Sequence, residues 1–400
     1  MKIKHILIAS ILTFTIVGCN SATSKTNQRN QFSDIISTAE QQIGFQVKLI
    51  EDSARFINPR TVVDGVVKYI PSDDWTSGFF PGTMFYMYDL TKNKKWLDLG
   101  VKYTETLDSI KYLKWHHDVG FMINCSYGNA LTYTENEKYR DVIIEAAKSL
   151  ATRFRPIPGV IQSWNEDKGW QAKRGWMCPV IIDNMMNLEL LFKATQFSGD
   201  STYYKMAVSH ADNTLANHFR KDWSCYHVID YDKIKGGVRH KQTAQGYSDE
   251  SAWARGQAWA LYGFTMCYRY THDPRYLEAT ENIYKFIFNN KNMPKDLVPY
   301  WDFDAPNIPN EPRDASAAAI IASALYELVG YGKTEYKETA DKIMSSLSSP
   351  VFTALVGTNG NFLLMHSVGS IPHGHEIDVP LNYADYYYLE AVIRQRNIEK

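Results

Sequence analysis

The chain has 400 residues, 44% of them hydrophobic and 22% charged, enough apolar material for one large core or for two or three small ones. With 43 basic against 44 acidic residues the formal net charge is −1. No global field is therefore available to hold nucleic acid or an anionic membrane surface, and an anionic ligand must be held locally.

Lys2 and Lys4 precede an apolar stretch from Ile6 to Val17 that ends in "IVGC" at Cys19, the layout of an export signal. The tetrapeptide resembles a bacterial lipobox, and the apolar stretch is shorter than the ~20 residues that span a bilayer. The expectation is a lipoprotein signal peptide over 1–18, a lipid on Cys19, and a flexible polar tether over 19–31. The mature protein would then be exported and anchored to a bacterial membrane, in the periplasm or at the cell surface. Cys125, Cys178, Cys225 and Cys267 have no close Cys or His spacing of zinc type, so no metal is expected. Their spacing leaves disulfides and buried free thiols both open.

From Phe32 onward strand-like alternation is scarce and helical periodicity common. Tyr139, Ile143, Ala146, Leu150 and Phe154 fall on one helix face, whereas "MMNLELLFKATQF" after Asp183 and "AWALYGFTMCYRY" after Gln257 are apolar nearly all round. The two kinds of helix alternate. Between them a turn recurs as Thr or Ser, polar residues, then an aromatic, beginning at Thr91, Thr134, Ser198 and Thr271, with a looser copy at Tyr331. These turns, with a last buried helix near Asn382, indicate six helical hairpins closed into an all-α (α/α)6 barrel forming a single catalytic domain over 32–400. An open solenoid would need polar capping repeats that the sequence lacks. In the barrel, Trp75, Asp118, Asp183, Arg255, Asp314 and Asp385 stand at the starts of the inner helices, whose positive dipole ends would line one mouth.

Trp75, Trp164, Trp170, Trp176, Trp253, Trp259 and Trp301 lie near that mouth. Any one of them suits a core, but as a set near helix starts and loops they look like flat surfaces for stacking sugar rings. Asp183, inside "PVIIDNMMN", is either a helix cap or a working acid.

The strings "DDWTSGFFPG", "WHHDVGF", "IIDNMMN", "QGYSDESAWARGQAW" and "NYADYYYLEA" resemble glycoside hydrolase family 88, the unsaturated glucuronyl hydrolases, from about Asp34 to the C-terminus. Family 105, the unsaturated rhamnogalacturonyl hydrolases, shares barrel and reaction but tends to carry Asn-Gly where this chain has Gln257-Ala258. The resemblance implies removal of a terminal 4,5-unsaturated uronic acid from lyase-generated oligosaccharides, and no cofactor is expected. It implies Asp183 as general acid/base and Asp118 as a second essential carboxylate. Trp75, Trp164, His227, Gln245, Arg255 and Trp259 match positions that line the sugar site, although His227 serves equally well as a structural histidine.

The implied chemistry is hydration: Asp183 protonates C4, water adds at C5, and the hemiketal collapses. Asp183 must keep its proton, and burial plus a like charge on Asp118 are expected to outweigh the helix dipole. For Arg255 the alternative to substrate binding is an ion pair with Asp249 or Glu250. Ser367, Ser370, His366 and His373 offer sulfate contacts, but no Lys or Arg is adjacent in sequence, which argues against a preference for sulfated substrates. The rival classes are a conventional two-carboxylate glycosidase on the same barrel and a sugar-binding lipoprotein without catalysis.

Overall fold

A computed structural model describes residues 17–53 and 58–399, with side chains from Phe32 on; residues 1–16 of the expected 1–18 signal peptide and the side chain of Cys19 lie outside the described residues. The first helix, α1 (Val17–Asp52), runs through the stretch for which the sequence predicts an irregular tether; residues 20–31 contain no Gly or Pro to interrupt it.

The remaining helices alternate between inner and outer positions. α2 (Phe79–Thr91) is inner and α3 (Lys94–Glu105) outer; α4 (Val119–Ile123) continues through a π-helical turn, Asn124–Gly128, into α5 (Asn129–Thr134), and α6 (Lys138–Ala151) is the outer partner. α7 (Leu188–Ser198), led in by a 3-10 turn Ile182–Asn187, pairs with α8 (Ser201–Asn217), α9 (Ala254–Thr271) with α10 (Pro274–Asn289), and α11 (Ala315–Gly330) with α12 (Tyr336–Leu347). α13 (Asn382–Ile398) is inner and packs on both α11 and α2, which closes the ring of an (α/α)6 barrel. The sixth hairpin is made from the two ends of the chain. α1 takes the outer position: Glu40 accepts from Trp96 Nε1 of α3 at 3.2 Å, and Gln42 donates to the Phe362 carbonyl at 3.0 Å.

The recurrent turn has a physical basis. Each of four inner helices ends on a residue with positive φ, Lys92 (58°), Glu135 (55°), Gly199 (72°) and His272 (54°), which reverses the chain. The preceding Thr or Ser hydroxyl accepts the backbone N–H two residues on: Asn93 and Asp273 at 3.1 Å from Thr91 and Thr271, Asp200 at 3.1 Å from Ser198, Asn136 at 3.3 Å from Thr134. Asn93, Asp200 and Asp273 then cap the next helix through their own side chains. The aromatic that completes the motif, Trp96, Tyr139, Tyr203 or Tyr276, is buried between the outer and inner layers.

Short antiparallel pieces decorate the loops before the inner helices: β1 (Asn58–Val63) with β2 (Val66–Ile70), β3 (Phe154–Arg155) with β4 (Val160–Ile161), and β8 (Ser367–Ser370) with β9 (His375–Val379). A three-stranded sheet of β5 (Pro179–Ile181), β6 (Val228–Tyr231) and β7 (Val238–Gln242) pairs Ile181 with Val228 and delivers the chain directly to Asp183.

The opposite end of the barrel is closed by buried charge. Arg269 meets Glu189 at 2.8 Å and Glu327 at 2.6 Å, Arg394 meets Glu327 at 2.9 Å, and Glu390 accepts from Tyr86 and Tyr262. Burial alone would push Glu189 and Glu327 up, but the cations hold both at about 2, so this end stays ionised and paired. A cavity of about 70 Å³ remains among these charges, smaller than the cleft at the helix N-termini.

Close approach within the inner ring depends on Gly82. A Cβ there would lie 2.5 Å from the Cys125 carbonyl oxygen and 2.5 Å from the Tyr386 ring. Gly82→Ala is expected to lower stability by about 1–3 kcal/mol through overpacking. Gly330→Ala, at the end of α11 with nothing within 4 Å of its Cβ, should leave stability unchanged or raise it by up to about 1 kcal/mol. Urea unfolding of the two variants checks the contrast; equal effects would mean the inner ring is not tight at Gly82.

Candidate active site

Asp183 sits in the 3-10 turn after β5 and caps neither that turn nor α7, so the helix-cap reading of this residue fails. Asp118 stands at the N-cap position of α4, yet its side chain makes no capping bond and turns to Asn187, whose Nδ2 donates to Asp118 Oδ1 at 2.9 Å. Asn187 belongs to the Asp183 turn, so the two acidic segments meet directly.

His227 faces Asp183, with Nε2 3.6 Å from Oδ2. Its tautomer follows from the backbone. Nδ1 accepts N–H bonds from Ala244 and Gln245, both at 3.1 Å, so the ring proton must be on Nε2, pointing at Asp183. Burial, with the Arg255 charge next, holds His227 neutral, well below its ordinary pKa. Its ring meets Trp253 at 4.7 Å and Trp164 at 5.8 Å, which ties the carboxylate to the aromatic wall.

Both carboxyl groups are pushed up to about 7. For Asp183 the cause is burial, opposed by Arg255 and by the residue's own backbone N–H; its Oδ2 has no hydrogen-bond partner in the protein. For Asp118 burial again leads, the Asn187 bond opposes it, and the Asp183 charge adds to it. Desolvation leads for both acids, and the repulsion between their charges, which is mutual, adds to it.

Arg255 is fully buried between Trp253 (4.5 Å) and Tyr383 (5.5 Å). It donates to Asp314 Oδ2 at 3.0 Å, to the Gly369 carbonyl at 2.6 Å and to the Val368 carbonyl. Its ion-pair partner is therefore Asp314, not Asp249, which accepts from Thr243 N, nor Glu250, which lies by Arg220. Asp314 also caps α11, and Asp385 accepts Leu363 and Leu364 N–H at 2.8 and 2.9 Å, so both are structural.

A cleft of about 290 Å³ opens at the mouth, walled by Trp75, Trp164, Trp170, Gln245, Arg255 and Tyr383. Trp259 is not on that wall. It lies one turn inside α9, fully buried against Phe121 (5.2 Å) and Tyr387 (5.4 Å), which corrects its expected sugar-lining place. Trp176, Trp253 and Trp301 are buried as well, so the tryptophan set divides into wall and core.

Of the residues considered for sulfate, Ser370 and His373 line the cleft and bond each other at 2.7 Å, Ser367 is fully buried, and His366 pairs with Asp378 at 2.6 Å. Arg60 reaches the cleft from β1, but Glu376 (2.5 and 3.0 Å) and Asp74 (2.7 Å) occupy its guanidinium. Sequence reasoning passed over Arg60, Tyr383, His117 and Asn187; the last two stand inside "WHHDVGF" and "IIDNMMN", strings already tied to the acids.

His116, His117 and Asp118 are the one group of possible metal donors found close together among the described residues. The group closes on itself: His116 Nδ1 accepts the Asp118 N–H at 3.0 Å, and the Asp118 carboxylate is engaged by Asn187. We assign it no metal.

The family model for Glycosyl Hydrolase Family 88 matches residues 55–398. An unsaturated glucuronyl hydrolase from Formosa agariphila is 43% identical over 99% of both chains. Among solved structures, an unsaturated glucuronyl hydrolase specific for heparin matches with a TM-score of 0.88 at 45% identity, covering 92% of this chain and 98% of that one. The unsaturated glucuronyl hydrolase responsible for glycosaminoglycan degradation in Bacillus sp. GL1 matches with a TM-score of 0.83 at 26% identity, covering 91% and 96%. The chain belongs to glycoside hydrolase family 88.

Proposed function

We propose that Asp183 is the general acid and base with which this chain, an unsaturated glucuronyl hydrolase, hydrates the double bond of a terminal 4,5-unsaturated uronic acid and so releases it from a lyase-generated oligosaccharide. The observation that carries the assignment is a buried carboxyl group with an unbonded Oδ2 and a pKa raised to about 7; Asp183 does not itself line the cleft, and His227, which faces it at 3.6 Å and meets the wall residues Trp164 and Gln245, connects the two. A vinyl ether needs such a proton donor at C4. As the proton leaves, positive charge develops at C5 and the ring oxygen, and the Asp183 carboxylate takes a proton from the water that adds at C5. The hemiketal then opens and the aglycone departs, with the proton restored to Asp183.

His227 presents its Nε2–H to Asp183, and Asp118 offers a carboxylate to the sugar hydroxyls. Trp75, Trp164 and Gln245 supply the stacking faces and an amide at the cleft wall. Arg255 shapes that wall by holding Asp314 and the β8 backbone, with its charge tempering the rise in Asp183. One structural relative is specific for heparin and the other is responsible for glycosaminoglycan degradation, so unsaturated disaccharides from those polymers are the first substrates to test. Cys19, after the "IVGC" tetrapeptide, is proposed as the lipid attachment that places the enzyme on a bacterial membrane outside the cytoplasm.

Asp183→Asn should cut kcat by at least the ~10²–10⁴-fold of lost acid/base catalysis while disaccharide binding survives, since the amide keeps the shape. Turnover and binding measured separately distinguish this from a binding protein, in which neither would change. Because the acid must hold its proton, kcat should fall as pH rises through the Asp183 value of about 7.

The same burial sets a stability sign. A carboxyl pKa raised on folding makes the folded state lose stability as pH rises from about 4 toward 7. Asp183→Asn should therefore gain on the native chain above pH 7 and lose that advantage near pH 4. Thermal unfolding across that range checks it, and an advantage confined to acid would mean the carboxylate is stabilised by folding.

The Cys19→Ala chain should fail to partition with membranes; retention in the membrane fraction would point to another anchor.

A further inference from the structure

Asn187 is completely buried four residues past Asp183, and its amide can sit only one way round. The Phe121 backbone N–H donates to Asn187 Oδ1 at 2.9 Å, so Nδ2 must face the other side, where it meets Asp118 Oδ1 at 2.9 Å and Asn184 Oδ1 at 3.2 Å. Asn184 is fixed in turn, because its Nδ2 donates to the Ile161 carbonyl at 2.7 Å and leaves only its oxygen for Asn187. Gly120 makes the approach feasible: a Cβ there would lie 2.5 Å from both the Cα and the Oδ1 of Asn187. The start of α4 and the Asp183 turn thus touch through one asparagine whose every polar atom is spoken for.

We propose that Asn187 is the positioning residue of the acid pair: its amide, locked by the Phe121 N–H, orients the Asp118 carboxylate and sets its place relative to the turn that carries Asp183. The proposal rests on the reading that Asp183 and Asp118 serve the reaction. A carboxylate held by a single donor of fixed direction keeps one rotamer, and that is the role a merely space-filling residue could not supply. The other groups facing Asp118 are His117, 3.3 Å from Oδ1, and His116, 3.8 Å from Oδ2, on its own segment, with Arg153 past α6, Asp74 before α2 and Asp183 acting through charge. Both histidines are held below their ordinary pKa by burial, so neither replaces the amide as a charged donor near neutral pH.

Asn187→Asp tests this, because the new side chain still accepts from Phe121 and nearly preserves shape but, once ionised, turns a lone pair to Asp118. On an unsaturated disaccharide its kcat at pH 7–8 should fall by about tenfold or more, the scale of a lost hydrogen bond to a charged group, with KM within about threefold. The loss should shrink on acidification, since the introduced carboxyl group can donate once it is protonated, so the kcat profile moves to lower pH. A profile superimposed on the native one, or a rise in KM at unchanged kcat, would overturn the proposal.

If Asn187→Asp does not fold, the exchange variant decides. Asp118→Asn combined with Asn187→Asp swaps donor and acceptor, and it should restore the cooperative thermal transition that Asn187→Asp alone lacks; no restoration would overturn the proposal. Asp183→Asn is run alongside. Full activity in that variant would sink the reading of the acid instead, and leaves the two failures distinguishable.

Discussion

A carboxyl group taken out of water without a counter-ion keeps its proton, and the mouth of this barrel is arranged around that penalty at Asp183. The cation nearest in effect, Arg255, could have cancelled it. Arg255 is instead committed to Asp314 and to two carbonyls of β8, so that its charge only moderates the rise of the Asp183 pKa to about 7. His227 could have done the same as an imidazolium. Two backbone N–H groups hold its Nδ1 as an acceptor, and burial keeps the ring neutral. An acid meant for proton transfer near neutral pH needs such surroundings: dipoles that orient, with no full charge at contact.

The two ends of the ring handle buried acids in opposite ways. At the closed end Glu189 and Glu327 are matched by Lys193, Arg269 and Arg394 and held at about 2, which fixes the helices and leaves these two acids no titration near neutral pH. At the open end Asp118 and Asp183 meet amide and imidazole, and both stay within reach of a proton. The parallel inner helices explain why the contrast maps onto the barrel axis, since one end gathers helix starts with their loops and the other gathers long side chains from further along the inner segments.

The barrel was largely legible in the sequence because its repeat is a local device. The Thr or Ser, the left-handed residue, the capping Asn or Asp and the buried aromatic all lie within a few positions, so four turns read correctly without any contact map. What a linear reading missed depends on distant packing. The outer helix of the sixth hairpin, α1, comes from the far end of the chain and bonds the 357–362 turn across more than three hundred residues, and β5, β6 and β7 are too short to show alternation. Asp118, Asp183, Arg255, Trp75, Trp164, His227 and Gln245 were found near one another, but the partner of Arg255 was missed because Asp314 is 59 positions away. Trp259 was placed at the cleft although helical phase turns it into the core, and Asn187 was overlooked because its importance lies in a bond to Asp118 that spans 69 positions.

The mechanism turns on where water enters the substrate. Protonation at C4 by Asp183 leads to attack at C5, whereas a pair of carboxylates working as an ordinary glycosidase would direct it to C1. Turnover of an unsaturated disaccharide in ¹⁸O-labelled water, with the released uronate analysed by mass spectrometry and ¹³C nuclear magnetic resonance, separates the two. The expected result is label at C5 with none at C1, together with inertness of the saturated disaccharide of the same linkage. Label at C1 would contradict hydration and move Asp118 and Asp183 into the paired roles of a conventional glycoside hydrolase.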